Sequence, residues 1–160
     1  MKINKLVLKN FRSYEEETTF DFTKEKNIIL VGGKNGAGKS TIFEAIKLCI
    51  YGPMAYKYQG FNSSYISRIK SNINNNSLKN DTVDAFVSID IEISESTEKN
   101  TYTLKREWTF KDKKLDEKFV VYKNSSLIPL DKEELNYFEN YITSIISPKI
   151  FEFFFFDGEH

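Results

Sequence analysis

The sequence predicts an α/β fold in which a strand–loop–helix unit lies beside an antiparallel β-meander. Three observations carry that reading. Asn27-Ile28-Ile29-Leu30-Val31 is an apolar run feeding glycines, as a buried strand ending in a loop does. From Lys39 to Ile50 the pattern turns helical, with Ile42, Ala45, Ile46 and Cys49 three and four residues apart. Later, Ala85, Val87, Ile89, Ile91 and Ile93 alternate with polar neighbours, and Tyr102, Leu104, Arg106, Trp108 and Phe110 repeat the period of two.

The remaining elements follow in order. Ile3 to Leu8 has strand character with lysines on an exposed side, and Thr18 to Phe22 reads as a second short strand after a polar turn near Tyr14. Gly52-Pro53 stops the helix begun at Lys39. Residues 57–84 are polar and rich in Asn and Ser. They read as a long surface excursion with one short helical turn near Tyr65-Ile66-Ser67-Arg68 and a mobile stretch from Asn72 to Asn80. Lys118 to Tyr122 and Ser126 to Leu130 form two strands around an Asn124-Ser125 turn. Asp131 opens a helix with capping-box spacing to Glu134, and Leu135, Phe138, Ile142, Ile145 and Ile146 follow at helical intervals until Ser147-Pro148. Ile150 to Phe156 reads as a buried strand leading into the polar Asp157-Gly158-Glu159-His160.

Bulk properties exclude several classes. A chain of 160 residues supports one domain with a hydrophobic core, 1–160, rather than two. Lys plus Arg and Asp plus Glu both count 23, so no global field draws nucleic acid; contact with DNA requires a local patch. Cys49 is the single cysteine, which rules out an intramolecular disulfide within these residues and fits an intracellular setting, with Cys49 itself a small core residue. No apolar run reaches the ~18 residues of a membrane span, and Phe153 to Phe156 falls far short of it. The expectation is a cytoplasmic protein with no membrane partner.

The strongest chemical signal is Gly33-Lys34-Asn35-Gly36-Ala37-Gly38-Lys39-Ser40, which has the phosphate-loop spacing of two glycines separated by four residues and followed by Lys-Ser. Glycines let successive backbone N–H groups turn inward around phosphate oxygens where a Cβ would obstruct. The helix that follows adds the partial positive charge of its N-terminus. Lys39 places an ammonium against the β- and γ-phosphates, Ser40 offers its hydroxyl to Mg²⁺, and Thr41 bonds the α-phosphate. The ligand expected is ATP with Mg²⁺, and Lys39 is a catalytic candidate.

A β-rich segment beside such a loop is unlike the alternating strands and helices of a nucleotide kinase. Leu6-Val7-Leu8-Lys9-Asn10-Phe11-Arg12-Ser13-Tyr14, the stretch from Asn27 to Thr41, Glu44-Ala45-Ile46 and Tyr51-Gly52 together resemble the N-terminal lobe of an SMC-like ABC ATPase head. That group includes chromosome-structure ATPases and RecF and RecN relatives. The resemblance implies that Arg12 reaches nucleotide phosphate and that Lys34 and Asn35 belong to the loop, with Asn35 towards the γ-phosphate. It places Arg68 and Lys70 where some heads carry a basic loop that touches DNA.

Phe153-Phe154-Phe155-Phe156-Asp157-Gly158-Glu159 falls where such heads carry the Q-loop, and it looks like the segment of the DndD group, ATPases of bacterial DNA phosphorothioation and related defence. Asp157 stands where a glutamine is usual. As a hard oxygen ligand it suits Mg²⁺, directly or through water, and it is the second catalytic candidate. The 160 residues contain no apolar run ending in Asp-Glu and no Ser-Gly-Gly signature. The resemblance implies that a C-terminal lobe beyond a coiled coil, and a second head in an ATP-bound homodimer, supply them, with DNA and further modification or defence subunits as partners. His160, the only histidine, is assigned no role. Two other functions stay open: a non-catalytic ATP-gated DNA scaffold or clamp, and a small-molecule phosphotransferase. The latter needs clustered arginines, and Arg12, Arg68 and Arg106 are far apart in sequence.

Overall fold

The computed structural model describes residues 2–23, 36–74, 77–79, 82–129, 131–145 and 147. The strand expected at Asn27 to Val31 and the segment from Ile150 to His160 lie outside the described residues.

Six strands form one antiparallel sheet: β1 (Lys2–Lys9), β2 (Thr18–Asp21), β3 (Thr82–Glu95), β4 (Glu98–Lys111), β5 (Lys114–Lys123) and β6 (Ser126–Ile128). Their order is β2-β1-β3-β4-β5-β6, so the expected meander from β3 to β6 is extended by β1, which pairs with β3 across 70 and more intervening positions. Register follows the predicted alternation. Leu6 faces Ile89, which faces Leu104, which faces Val121, and all four are buried. The hairpin tips are set locally: Asp112 and Lys113 are both left-handed, as are Asn124 and Ser125, the backbone that lets a two-residue turn match the strand twist.

Among the described residues three α-helices accompany the sheet: α1 (Gly36–Tyr51), α2 (Ser63–Asn72) and α3 (Lys132–Ile145). Ile42, Ala45, Ile46 and Cys49 are buried as predicted, yet so are Phe43, Leu48, Ile50 and Tyr51. A single apolar stripe was too narrow an expectation. The sheet, α3 and the 3₁₀ turn at Gly52–Tyr56 enclose the second half of α1 from several sides.

The excursion at 57–84 is also more ordered than expected. In place of one turn, α2 runs ten residues, with Asn62 Oδ1 accepting the Tyr65 amide at 2.9 Å as N-cap. Tyr65, Ile69 and Ile73, spaced by four, are buried. The stretch expected to be mobile begins with Asn72 and Asn74, both buried and both hydrogen-bonded to the loop after β1. A 3₁₀ turn follows at Ser77–Lys79.

The capping box of α3 forms reciprocally. The Glu134 amide donates to Asp131 Oδ1 at 2.8 Å, and the Asp131 amide donates to Glu134 Oε2 at 3.0 Å. Asp131→Ala is expected to lower stability by about 1 kcal/mol, measured by urea unfolding, because the first turn of α3 loses its side-chain acceptor.

Candidate functional site

The phosphate-loop motif runs directly into α1. Gly36, Ala37, Gly38 and Lys39 form its first turn, followed by exposed Ser40 and buried Thr41. Gly33, Lys34, Asn35 and Asp157 lie outside the described residues. The first turn of a helix leaves backbone N–H groups without intrahelical acceptors and carries the positive end of the dipole. Ser40 and Glu44 are four apart and share a helix face.

Arg12 comes to that face from a tight loop. Asn10 and Arg12 both adopt left-handed backbone, φ 51° and 50°, while Phe11 between them bonds both ways with Tyr14 and packs on Trp108 with ring centroids 6.4 Å apart. The Arg12 guanidinium pairs through Nη2 with Glu44, and its Nε donates to Asn72 Oδ1 at 3.2 Å. Arg68 Nη2 reaches the other oxygen of Glu44 at 3.4 Å and its guanidinium lies 4.6 Å from the centre of the Tyr56 ring. Arg12 and Arg68, 56 residues apart, thus converge on one carboxylate. The expectation that the arginines do not cluster fails for Arg12 and Arg68, because the Arg68 side chain on α2 reaches Glu44 on α1. Burial holds the Arg12 guanidinium below the usual arginine range; Tyr56 opposes that shift and neighbouring Arg68 adds to it.

Lys70, grouped with Arg68 in the sequence, goes elsewhere. Its ammonium donates to the Lys113 carbonyl at 3.5 Å and sits 5.1 Å from the centre of the Phe110 ring. The two cations therefore do not form one patch.

The far end of α1 is held by a buried charge that sequence reading did not single out. Arg106, only 2% exposed, donates from Nε and Nη2 to the Cys49 carbonyl at 3.3 and 3.2 Å, where an α-helix lacks internal donors. Its Nη1 lies 3.5 Å from Glu117 Oε2 and its Nη2 lies 3.6 Å from Glu139 on α3. Glu117 Oε1 accepts from Trp108 Nε1 at 2.8 Å and from the Tyr65 hydroxyl. Gly52 gives the guanidinium room: at φ +56° any side chain is strained, and a Cβ there would stand 2.9 Å from Arg106 Nη1. The Cys49 thiol lies 3.4 Å from the Val87 carbonyl and 3.2 Å from that of Leu104, and burial pushes it up to about 12 against the lowering effect of Arg106. It remains a protonated core group.

An α/β fold in which a helix opens within a glycine-rich phosphate-loop motif defines a P-loop NTPase-type domain. The chain belongs to the AAA domain family, which matches residues 5–160. It is similar to the DNA replication and repair protein RecF of Acetivibrio thermocellus, 48% identical over 52 residues, covering 32% of this chain and 13% of that protein. The structural maintenance of chromosomes protein 3 homolog of Plasmodium falciparum is 46% identical over 57 residues, 36% of this chain and 5% of its own length. The DNA double-strand break repair Rad50 ATPase of Pyrococcus abyssi is 38% identical over 69 residues, 43% of this chain and 8% of its own. The matched stretches are thus a small part of these much longer relatives. Among solved structures, the SMC head domain from Thermotoga maritima aligns with a TM-score of 0.36 at 20% identity, over 80% of this chain and 39% of that one. Among the described residues, no helix is long and apolar enough to cross a membrane.

Proposed function

We propose that this chain is the ATP- and Mg²⁺-binding half of an SMC-like ATPase head that acts on DNA and dimerises when nucleotide binds. One observation carries the reading: Gly36 to Ser40 of the Gly33-to-Ser40 motif open α1, one turn of which separates Ser40 from the Arg12–Glu44 pair. The names of the relatives support action on DNA, since they include a replication and repair protein and a double-strand break repair ATPase.

In this reading the loop from Gly33 to Gly38 and the first turn of α1 cradle the phosphates. Lys39 neutralises the β- and γ-oxygens, Thr41 faces the α-phosphate, and Arg12 adds a second cation from the β1 side. Ser40 is exposed in the first turns of α1, where its hydroxyl fits a hard cation; Asp157 completes the oxygen set. Ser40 and Asp157 would hold Mg²⁺, which would supply charge neutralisation to the phosphates. The rest of the hydrolytic apparatus comes from a C-terminal lobe and a second head. The Phe153-to-Glu159 segment favours the phosphorothioation and defence branch of the group, in the cytoplasm, with other subunits of that system as partners.

Analytical ultracentrifugation of the full protein tests this. ATP with Mg²⁺ is expected to produce a dimer that ADP, or ATP with EDTA, does not. The 160 residues assayed alone are expected to turn over ATP well below about 1 s⁻¹, the low end of self-sufficient phosphotransferases. A protein that stays monomeric under saturating Mg-ATP, or a 160-residue chain that turns over at kinase rates, overturns the reading.

A further inference from the structure

Arg12 is held by more than Glu44. Its amide donates to the Asn72 carbonyl at 2.6 Å, its own carbonyl accepts from Asn74 Nδ2 at 2.7 Å, and its Nε donates to Asn72 Oδ1 at 3.2 Å. The Asn74 amide donates to the Asn10 carbonyl at 3.0 Å, closing the same loop from its other end. Asn72 and Asn74 are 4% and 6% exposed, and Asn72 Nδ2 donates onward to the Tyr56 hydroxyl at 3.0 Å. Backbone and guanidinium of one left-handed arginine are therefore fixed by two buried asparagines some sixty positions away.

The geometry points to Asn72 as a positioning residue for Arg12, one that sets the guanidinium beside the first turns of α1 before nucleotide arrives; this rests on the reading of Arg12 as a phosphate contact. Asparagine suits the task because one amide offers an acceptor to Nε and a donor to Tyr56 at once. An alanine at this position supplies neither pairing, and a lysine, having no acceptor, cannot hold Nε. A left-handed non-glycine backbone costs energy by itself, and the Asn72 and Asn74 bonds to the Arg12 amide and carbonyl offset that cost. An arginine has many rotamers, so fixing its Nε in advance removes part of the ordering cost from ligand binding.

The test is ATP affinity by calorimetry on the full protein, for Arg12→Ala, Asn72→Ala, Asn72→Asp, Tyr56→Phe and the Arg12→Ala/Asn72→Ala double variant. Arg12→Ala is expected to weaken ATP binding by about tenfold or more, and Asn72→Ala by about fivefold. Asn72→Asp keeps the acceptor for Nε and is expected to stay within about twofold of the parent. Tyr56→Phe, which leaves the fold intact if Asn72→Ala does not, is expected to cost about twofold. The double variant is expected to bind as Arg12→Ala does, since Asn72 acts only through Arg12. If Arg12→Ala weakens binding while Asn72→Ala and Tyr56→Phe do not, or if the double variant is additive, the positioning role is overturned and the Arg12 reading survives. If Arg12→Ala binds ATP like the parent, the Arg12 reading itself falls and takes this inference with it.

Discussion

Arg106→Met is expected to destabilise the domain by about 3–5 kcal/mol, the loss typical of removing one partner from a buried ion pair. Methionine keeps much of the side-chain volume, so the expected loss is electrostatic rather than a cavity. Without the guanidinium, Glu117 keeps only the Tyr65 hydroxyl and Trp108 N–H as donors for a carboxylate that is 12% exposed. The Cys49 carbonyl at the exit of α1 loses both its donors from Arg106, and Phe119 loses the cation whose guanidinium carbon lies 4.2 Å from its ring centre. Urea unfolding measures the change, and the midpoint of thermal unfolding is expected to fall by about 10 °C or more. Adding Glu117→Gln is expected to recover part of the loss, since an amide still accepts from Trp108 without a stranded charge. A loss below about 1 kcal/mol would show that the network is solvated and that its burial does not govern its energetics.

Arg106 was legible in one sense and missed in another. Its place among Tyr102, Leu104, Trp108 and Phe110 put it on the buried face by period alone. Its partner was not legible, because Glu117 reaches it only through the β4–β5 register, Arg106 opposite Phe119 and Trp108 opposite Glu117. A charge inside an apolar column was the signal available. The same distinction runs through the molecule. The β3 alternation, the Asp131–Glu134 box and the Asn124-Ser125 turn rest on neighbours in sequence, and each formed as read. α2 was underread because Asn and Ser dominate its surroundings, while its apolar side, Tyr65, Ile69 and Ile73, is only one residue wide per turn. The Arg12–Glu44–Arg68 convergence depends on side-chain contacts among the loop after β1, α1 and α2, which local spacing does not encode. For the phosphate loop itself, Gly36 to Ser40 are described as the start of α1, and Gly33 to Asn35 lie outside the described residues.

Lys39→Ala is expected to weaken ATP binding by about 100-fold or more while leaving the fold unchanged. The size follows from the role proposed for the ammonium, charge-assisted contacts to two phosphates, each such contact being worth about 1.5–3 kcal/mol. No other lysine of the motif replaces it, since Lys34 sits five residues nearer the entry. The fold is expected to hold because alanine is the better helix former and Lys39 lies in the first turn of α1, at the other end from the buried exit bound by Arg106. The nucleotide series separates this from a general loss of the pocket. ATP is expected to lose most, ADP less because only its β-phosphate meets the lysine, and AMP nothing. Calorimetric titration of the three nucleotides, with the thermal midpoint as the folding control, gives each number independently. Lys39→Arg is expected to restore little, because a planar guanidinium fork does not replace a compact ammonium point charge. Equal losses for ATP, ADP and AMP would place the lysine's effect on the loop's shape, and ATP affinity within about threefold of the parent would remove Lys39, and with it the phosphate-loop reading, from the function of this chain.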